Sequence, residues 1–302
     1  MKPSGSTKIS DAMAASPTAP PTAPPQESGS LIKAGPVWVW GFVLICLALM
    51  AVIYFGDLNR DLFFAINGFA AQFVDKLWAL ITFFSDGLVS FVLLLPFIYR
   101  KPRYIWAVLL AAVLFTLAGQ GIKHIMDVPR PPRVLEPHEF NLIGPNWGQN
   151  AFPSGHASMI FNLVGVLILT TTKRWLRWVL LAVGTVIALS RTAVGVHWPL
   201  DVVAGALMGW LTVWVGLKLT PHMRWGWSGI GQKILGAVLI LACIVLFFAD
   251  YTGFTNIMPE QRTIALILFV VGTVEYLKLY NIHLLRPPRR TIPVSNPDPP
   301  ME

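Results

Sequence analysis

The sequence predicts an all-α fold, a polytopic bundle of membrane helices. Three observations carry this. Hydrophobic residues make up 55% of the 302-residue chain and charged residues 13%, against roughly 25% charge in a soluble domain. The mean hydropathy is +0.61. The apolar residues gather into about eight runs, each near the ~20 residues that a helix needs to cross a hydrocarbon core. By length alone about two soluble domains would be expected. The composition sets that expectation aside.

Taken in chain order, residues 1–35 are rich in Pro, Ser, Thr and Ala ("AASPTAPPTAPPQESGS"). Such a segment buries too little apolar surface to offset its ordering entropy and is expected to be a disordered tail. The first run, near 36–55, is long, lies far from the start and is followed by no small-residue cleavage pattern. It is read as a retained transmembrane helix rather than a signal peptide. Further spans are expected near 73–99, 104–122, 157–172, 176–194, 199–219, 233–250 and 263–280. The second contains "FFSDGL", where Asp86 and Gly87 interrupt the apolar run. It reads either as one broken helix or as a surface helix followed by a short span. A basic, Pro-rich tail, 283–302, closes the chain.

The loop charges give an orientation. The clusters "RKPR", "KRWLR", "PHMRWGWSGIGQK" and "RPPRR" fall on one side if the spans alternate, and the positive-inside rule makes that side cytoplasmic. Both termini fall there too. The net charge of +8 is thereby read as anchoring charge. No clustered basic face of the nucleic-acid-binding kind is visible. The two cysteines, Cys46 and Cys243, lie inside apolar runs, so neither a disulfide framework nor a zinc site is expected. The pair Glu275 and Lys278 near the inner end of the last run reads as a boundary ion pair.

The loop 123–156 breaks the charge rule. It lies on the outer side yet carries Lys123, Arg130 and Arg133, and charges at a membrane boundary mark function. Three stretches stand out: "KHIMDVPRP", "FPSGHAS" and "SRTAVGVHWPLD". In a bundle the helix ends that carry them emerge on the same face. Lys123, Arg130 and Arg191 then surround one point, and their natural counterpart is a multiply charged anion such as phosphate. "PSGH" opens a helix whose free N–H groups favour phosphate. Ser154 adds a hydroxyl, and Gly155 lets backbone approach a ligand. His197 and Asp201 are four apart, a spacing that stacks side chains on one helix face. Asp201 is expected to hold one ring nitrogen of His197 and leave the other to attack. His156 is expected to be the general acid.

The full pattern is Lys123 with Arg130 and Pro131, then Pro-Ser-Gly-His at 153–156, then Ser190, Arg191, His197 and Asp201. In order and internal spacing it resembles the type 2 phosphatidic acid phosphatase superfamily of lipid phosphate phosphatases, related to vanadium haloperoxidases and bacterial acid phosphatases. The resemblance covers about residues 60–220. It implies a six-helix phosphatase core, taken as 36–220. Beyond the pattern, the apolar runs add about two extra C-terminal transmembrane helices within 221–282 that carry no matching motif. The resemblance also implies a phosphohistidine at His197, orientation by Asp201 and acid catalysis by His156. Lys123, Arg130, Ser154, Gly155 and Arg191 are implied to hold the phosphoryl group, with no metal and no cofactor. The chain departs from the pattern in one place: "RPPR" displaces Arg133 by one residue.

The implied substrate is a membrane lipid phosphate, with undecaprenyl diphosphate first. Phosphatidylglycerol phosphate, phosphatidic acid and lipid A are the alternatives. The implied setting is the inner membrane, with the site on the extracytoplasmic face. A lipid-to-lipid phosphotransferase, a haloperoxidase and a non-enzymatic transporter are the competing readings. The loop 133–152 is expected to lie over the site, where Phe140 and Trp147 either line an acyl entrance or are interfacial aromatics.

Overall fold

The computed structural model describes residues 30–146, 148–250 and 253–280. The N-terminal tail through residue 29, Trp147 and the basic tail 283–302 lie outside the described residues. The described residues form eleven α-helices, joined by loops and short 3-10 turns, that we number in chain order. They are α1 (Pro36–Phe55), α2 (Asn59–Ala70), α3 (Asp75–Phe83), α4 (Gly87–Val92), α5 (Pro102–Met126) and α6 (Pro131–Val134), followed by α7 (Gly155–Thr170), α8 (Arg174–Ala193), α9 (Pro199–Leu219), α10 (Gly229–Phe248) and α11 (Met258–Leu277).

Several of these helices open on local signals. Proline stands at the first or second position of α1, α5, α9 and α11, where its missing N–H costs nothing. Ser154 and Ser228 cap α7 and α10, their side chains accepting from Ala157 and Gly231, which satisfies orphan donors.

Among the described residues, six helical segments are long and apolar enough to cross a membrane, and α3 with Gly87–Phe97, bent by 54°, passes the same test only when the pair is taken together. The apolar segment at 73–99 is thus interrupted between Phe83 and Gly87, where the sequence places the break. The break has a physical cause. Asp86 caps α4, its Oδ1 accepting from the N–H groups of Leu88 at 2.8 Å and Val89 at 3.3 Å. The span expected near 157–172 is α7, which has 16 residues, about 24 Å at helical rise, and is the most enclosed by its neighbours. In contrast, α2 occupies a stretch for which the sequence predicts only an outer connection.

The centre of the bundle is the pairing of α7 with α9, flanked by α5 and α1 on α9 and by α8 on α7. Two glycines one helical turn apart make that pairing close. A Cβ on Gly205 would stand 2.3 Å from the carbonyl oxygen of Ser154, and one on Gly209 would stand 2.3 Å from that of Ser158. Small residues at this spacing let helix backbones meet in lipid. The outer faces are apolar and exposed, as at Leu44, Trp175, Leu241 and Ile267, as a lipid-facing surface requires.

Helices α10 and α11 pack on each other and lean on α4 and the turn Leu95–Phe97 that follows it. Lys76 of α3 pairs with Glu260 of α11 at 2.6 Å. Glu275 of α11 meets both Lys278, the pair expected from the sequence, and Arg100 at 3.2 Å. The terminal helix pair thus braces the broken element.

Candidate active site

The site is built where α5, α7, α8 and α9 reach the same end of the bundle. Ser154, the cap of α7, donates its backbone N–H to the carbonyl oxygen of Asp201 in the first turn of α9 at 3.0 Å. The starts of the two helices are thereby joined, and the second and third motifs meet.

His197 and Asp201 are both almost fully buried. Asp201 Oδ2 accepts the backbone N–H of Trp198 at 2.9 Å and lies 3.3 Å from Nδ1 of His197. The origin of this pair differs from the sequence expectation. The α9 helix starts at Pro199 with Trp198 as its cap, so His197 precedes the helix and does not share a face with Asp201. The capping turn folds back over the carboxylate and brings the imidazole to it. With Nδ1 directed at Asp201, Nε2 is the free nitrogen, buried and without a hydrogen-bond partner.

The cations arrive from three elements. Lys123 stands in the last turn of α5, and Arg191 in the last turn of α8, where the helix dipole favours positive charge. Arg130 precedes α6. Its Nε donates to the carbonyl of Gln149 at 2.8 Å and its backbone N–H to that of Gly148 at 3.0 Å. Arg191 is buried, and its Nη1 donates to Oγ1 of Thr82 in α3 at 2.9 Å. Burial first, and then the charges of Arg130, Arg191, His156 and Lys123, hold the His197 imidazole well below the ordinary histidine value of 6.5. The groups predicted from three separate motifs therefore act on one ring.

An open cavity of about 520 Å³ adjoins the cluster, lined by Lys123, Arg130 and His156 together with Gln120, Asn146, Gly148, Gln149 and Asn150. Ser154 and Gly155 sit at the start of α7 beside it. Arg133 is exposed and is not among the cavity-lining residues. Phe140 packs on Phe63, at 5.7 Å between ring centroids, in a small apolar cluster with Trp198, Leu135 and Ala151. Trp198 is pinned through its indole N–H to the carbonyl of Pro129 at 2.9 Å.

Two features of the site escaped sequence reasoning. Asp86 places Oδ2 3.8 Å from Nε2 of His156. Its only signal was a carboxylate interrupting an apolar run, which reads equally well as a helix break. The second is α2. Asn59 Oδ1 accepts from Leu200 N–H at 3.0 Å, and buried Asn67 donates to the carbonyls of Ala193 and Asn141. A polar stripe on a short helix carries no such message by itself.

Fold and site together define a multi-pass helical membrane protein with a histidine–carboxylate pair beside an anion-attracting cavity. The PAP2 superfamily model matches residues 103–225. An undecaprenyl-diphosphatase of Sulfolobus acidocaldarius is 30% identical over 183 residues, covering 58% of this chain and 87% of that protein. A lipid A 4'-phosphatase of Bacteroides thetaiotaomicron is 27% identical over 225 residues, covering 64% and 96%. The crystal structure of Aquifex aeolicus LpxE shares 34% identity over 53% of this chain and 95% of that one, with a TM-score of 0.48. The chain belongs to the PAP2 superfamily, the family that its motifs resemble.

Proposed function

We propose that this protein is a metal-independent lipid phosphate phosphatase that works through a phosphohistidine on His197. The observation that carries this reading is the His197–Asp201 pair, with Nε2 buried and unpartnered under the combined influence of Lys123, Arg130 and Arg191. Nε2 attacks the phosphorus atom, the P–N bond forms and the P–O bond to the lipid breaks. His156 gives its proton to the departing oxygen. Water then attacks the phosphohistidine and loses a proton to His156. Inorganic phosphate leaves and the neutral His197 returns. Lys123, Arg130, Arg191, the Ser154 hydroxyl and the N–H groups at Gly155 hold the phosphoryl oxygens as charge builds on them. The catalytic core is assigned to 36–220 and the bracing pair to 221–282.

Undecaprenyl diphosphate is the first substrate, in keeping with the name of the Sulfolobus relative. The four carboxamides of the cavity, Gln120, Asn146, Gln149 and Asn150, favour a phosphorylated glycolipid as a second reading, because they both donate and accept and so suit sugar hydroxyls. The loop charges support an inner-membrane protein with cytoplasmic termini and an extracytoplasmic site.

A phosphate-release panel in detergent with EDTA, run over lipid phosphates and diphosphates, tests the reading. Release in EDTA is expected, and His197→Ala is expected to abolish it in a protein that stays folded. Turnover retained by His197→Ala would overturn the mechanism. Phosphate recovered on a second lipid instead of in water would make the enzyme a phosphotransferase.

A further inference from the structure

We propose that Asp86 is the positioning residue for His156, so that the site holds a second histidine–carboxylate pair beside that of His197. The inference rests on the phosphatase reading above and adds a residue to it.

Three observations support it. First, the two oxygens of Asp86 have divided duties. Oδ1 accepts from Leu88 and Val89 at the start of α4, while Oδ2 is turned to Nε2 of His156 at 3.8 Å. The capping bonds fix the carboxylate, so its reach toward His156 is set by the backbone. Second, His156 needs an anion. Arg191, Arg130 and Lys123 all bear on its ring, and His197 lies beside it. Burial first, and then these three cations, oppose protonation of the ring, yet the general acid must carry a proton to the leaving oxygen. An anion within about 4–6 Å favours the charged form, and Asp86 supplies it. Third, the break that presents Asp86 also presents Thr82, which anchors Arg191 at 2.9 Å. Helices α10 and α11 pack against the second half of that break. The bracing pair thus holds in place the element that delivers both contacts.

With Nε2 turned toward the Asp86 carboxylate, the His156 ring is oriented to give its proton to the leaving oxygen and, in the second step, to take one from the attacking water. Asp86 also bears on Arg191 through its charge, and the His156→Ala background of the test separates that contribution from the one made through His156.

The test is a double-mutant cycle in the full-length protein. Asp86→Asn is the informative change, because asparagine caps helices about as well as aspartate and differs in charge. Phosphate release from dioleoyl phosphatidic acid and from undecaprenyl diphosphate, each in detergent, is measured as kcat against pH for wild type, Asp86→Asn, His156→Ala and the double variant. Asp86→Asn is expected to lower kcat about tenfold or more near neutral pH and to move the basic limb of the profile about one unit toward acid. In the His156→Ala background the same change is expected to cost nothing further. Equal losses in both backgrounds, or a pH profile that superimposes on wild type, would overturn the role of Asp86. Neither result would touch the His197 mechanism. Absence of wild-type turnover on both lipids, or activity surviving in His197→Ala, would defeat the phosphatase reading and this inference with it.

Discussion

The backbone N–H of Ser154 is bonded to the carbonyl oxygen of Asp201 at 3.0 Å, so the cap of one helix and the first turn of another form a single unit. Everything on the Ser154 side of the site, His156 included, is registered against the His197–Asp201 pair through this bond. Below it, the helices stay in register because α9 presents Gly205 and Gly209 to the α7 backbone.

Gly205→Ala should therefore damage the site from within the bundle. The added methyl would stand 2.3 Å from the Ser154 carbonyl oxygen, a backbone atom that can yield only by moving the cap. The expected cost is about 1–3 kcal/mol of stability, with a fall in phosphate release of at least about tenfold as the catalytic geometry shifts. Thermal unfolding in detergent and initial rates check this together. Gly41→Ala, where nothing lies within 4 Å, is the control and should change neither. A Gly205→Ala protein with wild-type rate would show that the seam does not set the catalytic geometry.

The pH dependence follows from the state of His197. Burial, reinforced by the surrounding cations, depresses its value well below 6.5. In the proposed mechanism the attacking form is the neutral ring, which is lost only as pH falls through that depressed value. The acid limb of kcat/KM, which reports the free enzyme, is thus expected below pH 6.5. Removing cation charge with Lys123→Gln should move that limb toward higher pH. An acid limb at or above 6.5 in wild type would contradict the buried, cation-flanked state.

Arg191 and Thr82 form a third testable pair. The guanidinium is aimed by its 2.9 Å bond to the threonine hydroxyl. Lysine cannot reproduce a planar fork of donors, so Arg191→Lys should lower kcat/KM by about 100-fold, the scale of one lost oxyanion donor. Thr82→Val keeps the shape and removes only the anchor, and is expected to lose about tenfold. Weakened inhibition by vanadate in both variants would place the loss in phosphoryl binding. Full vanadate affinity in Arg191→Lys would remove Arg191 from the phosphoryl pocket.

Much of this was legible in the chain itself. The helical class and the membrane setting follow from composition and run length, because the bilayer imposes one length scale on every span. The motif residues were legible because their chemistry is anomalous: cations, imidazoles and a carboxylate at the ends of apolar runs need a reason to be there. Pro153-Ser154-Gly155 and Pro199 announced helix starts for local steric reasons, and α7 and α9 begin as those signals require.

Tertiary structure decided what no local rule reaches. That Asp86 faces His156 depends on a helix break folding back across the bundle, 70 residues away in sequence. That α2 secures both α8 and α9 depends on two asparagines finding backbone partners at Ala193 and Leu200. Even the His197–Asp201 pair, foreseen by spacing, arises from a capping turn rather than a shared helix face. Composition and periodicity report the solvent each residue prefers and the turn it favours, and these are local free energies. The meeting of side chains across a bundle is a property of packing, in which close helix approach at glycines selects partners that one-dimensional spacing leaves open.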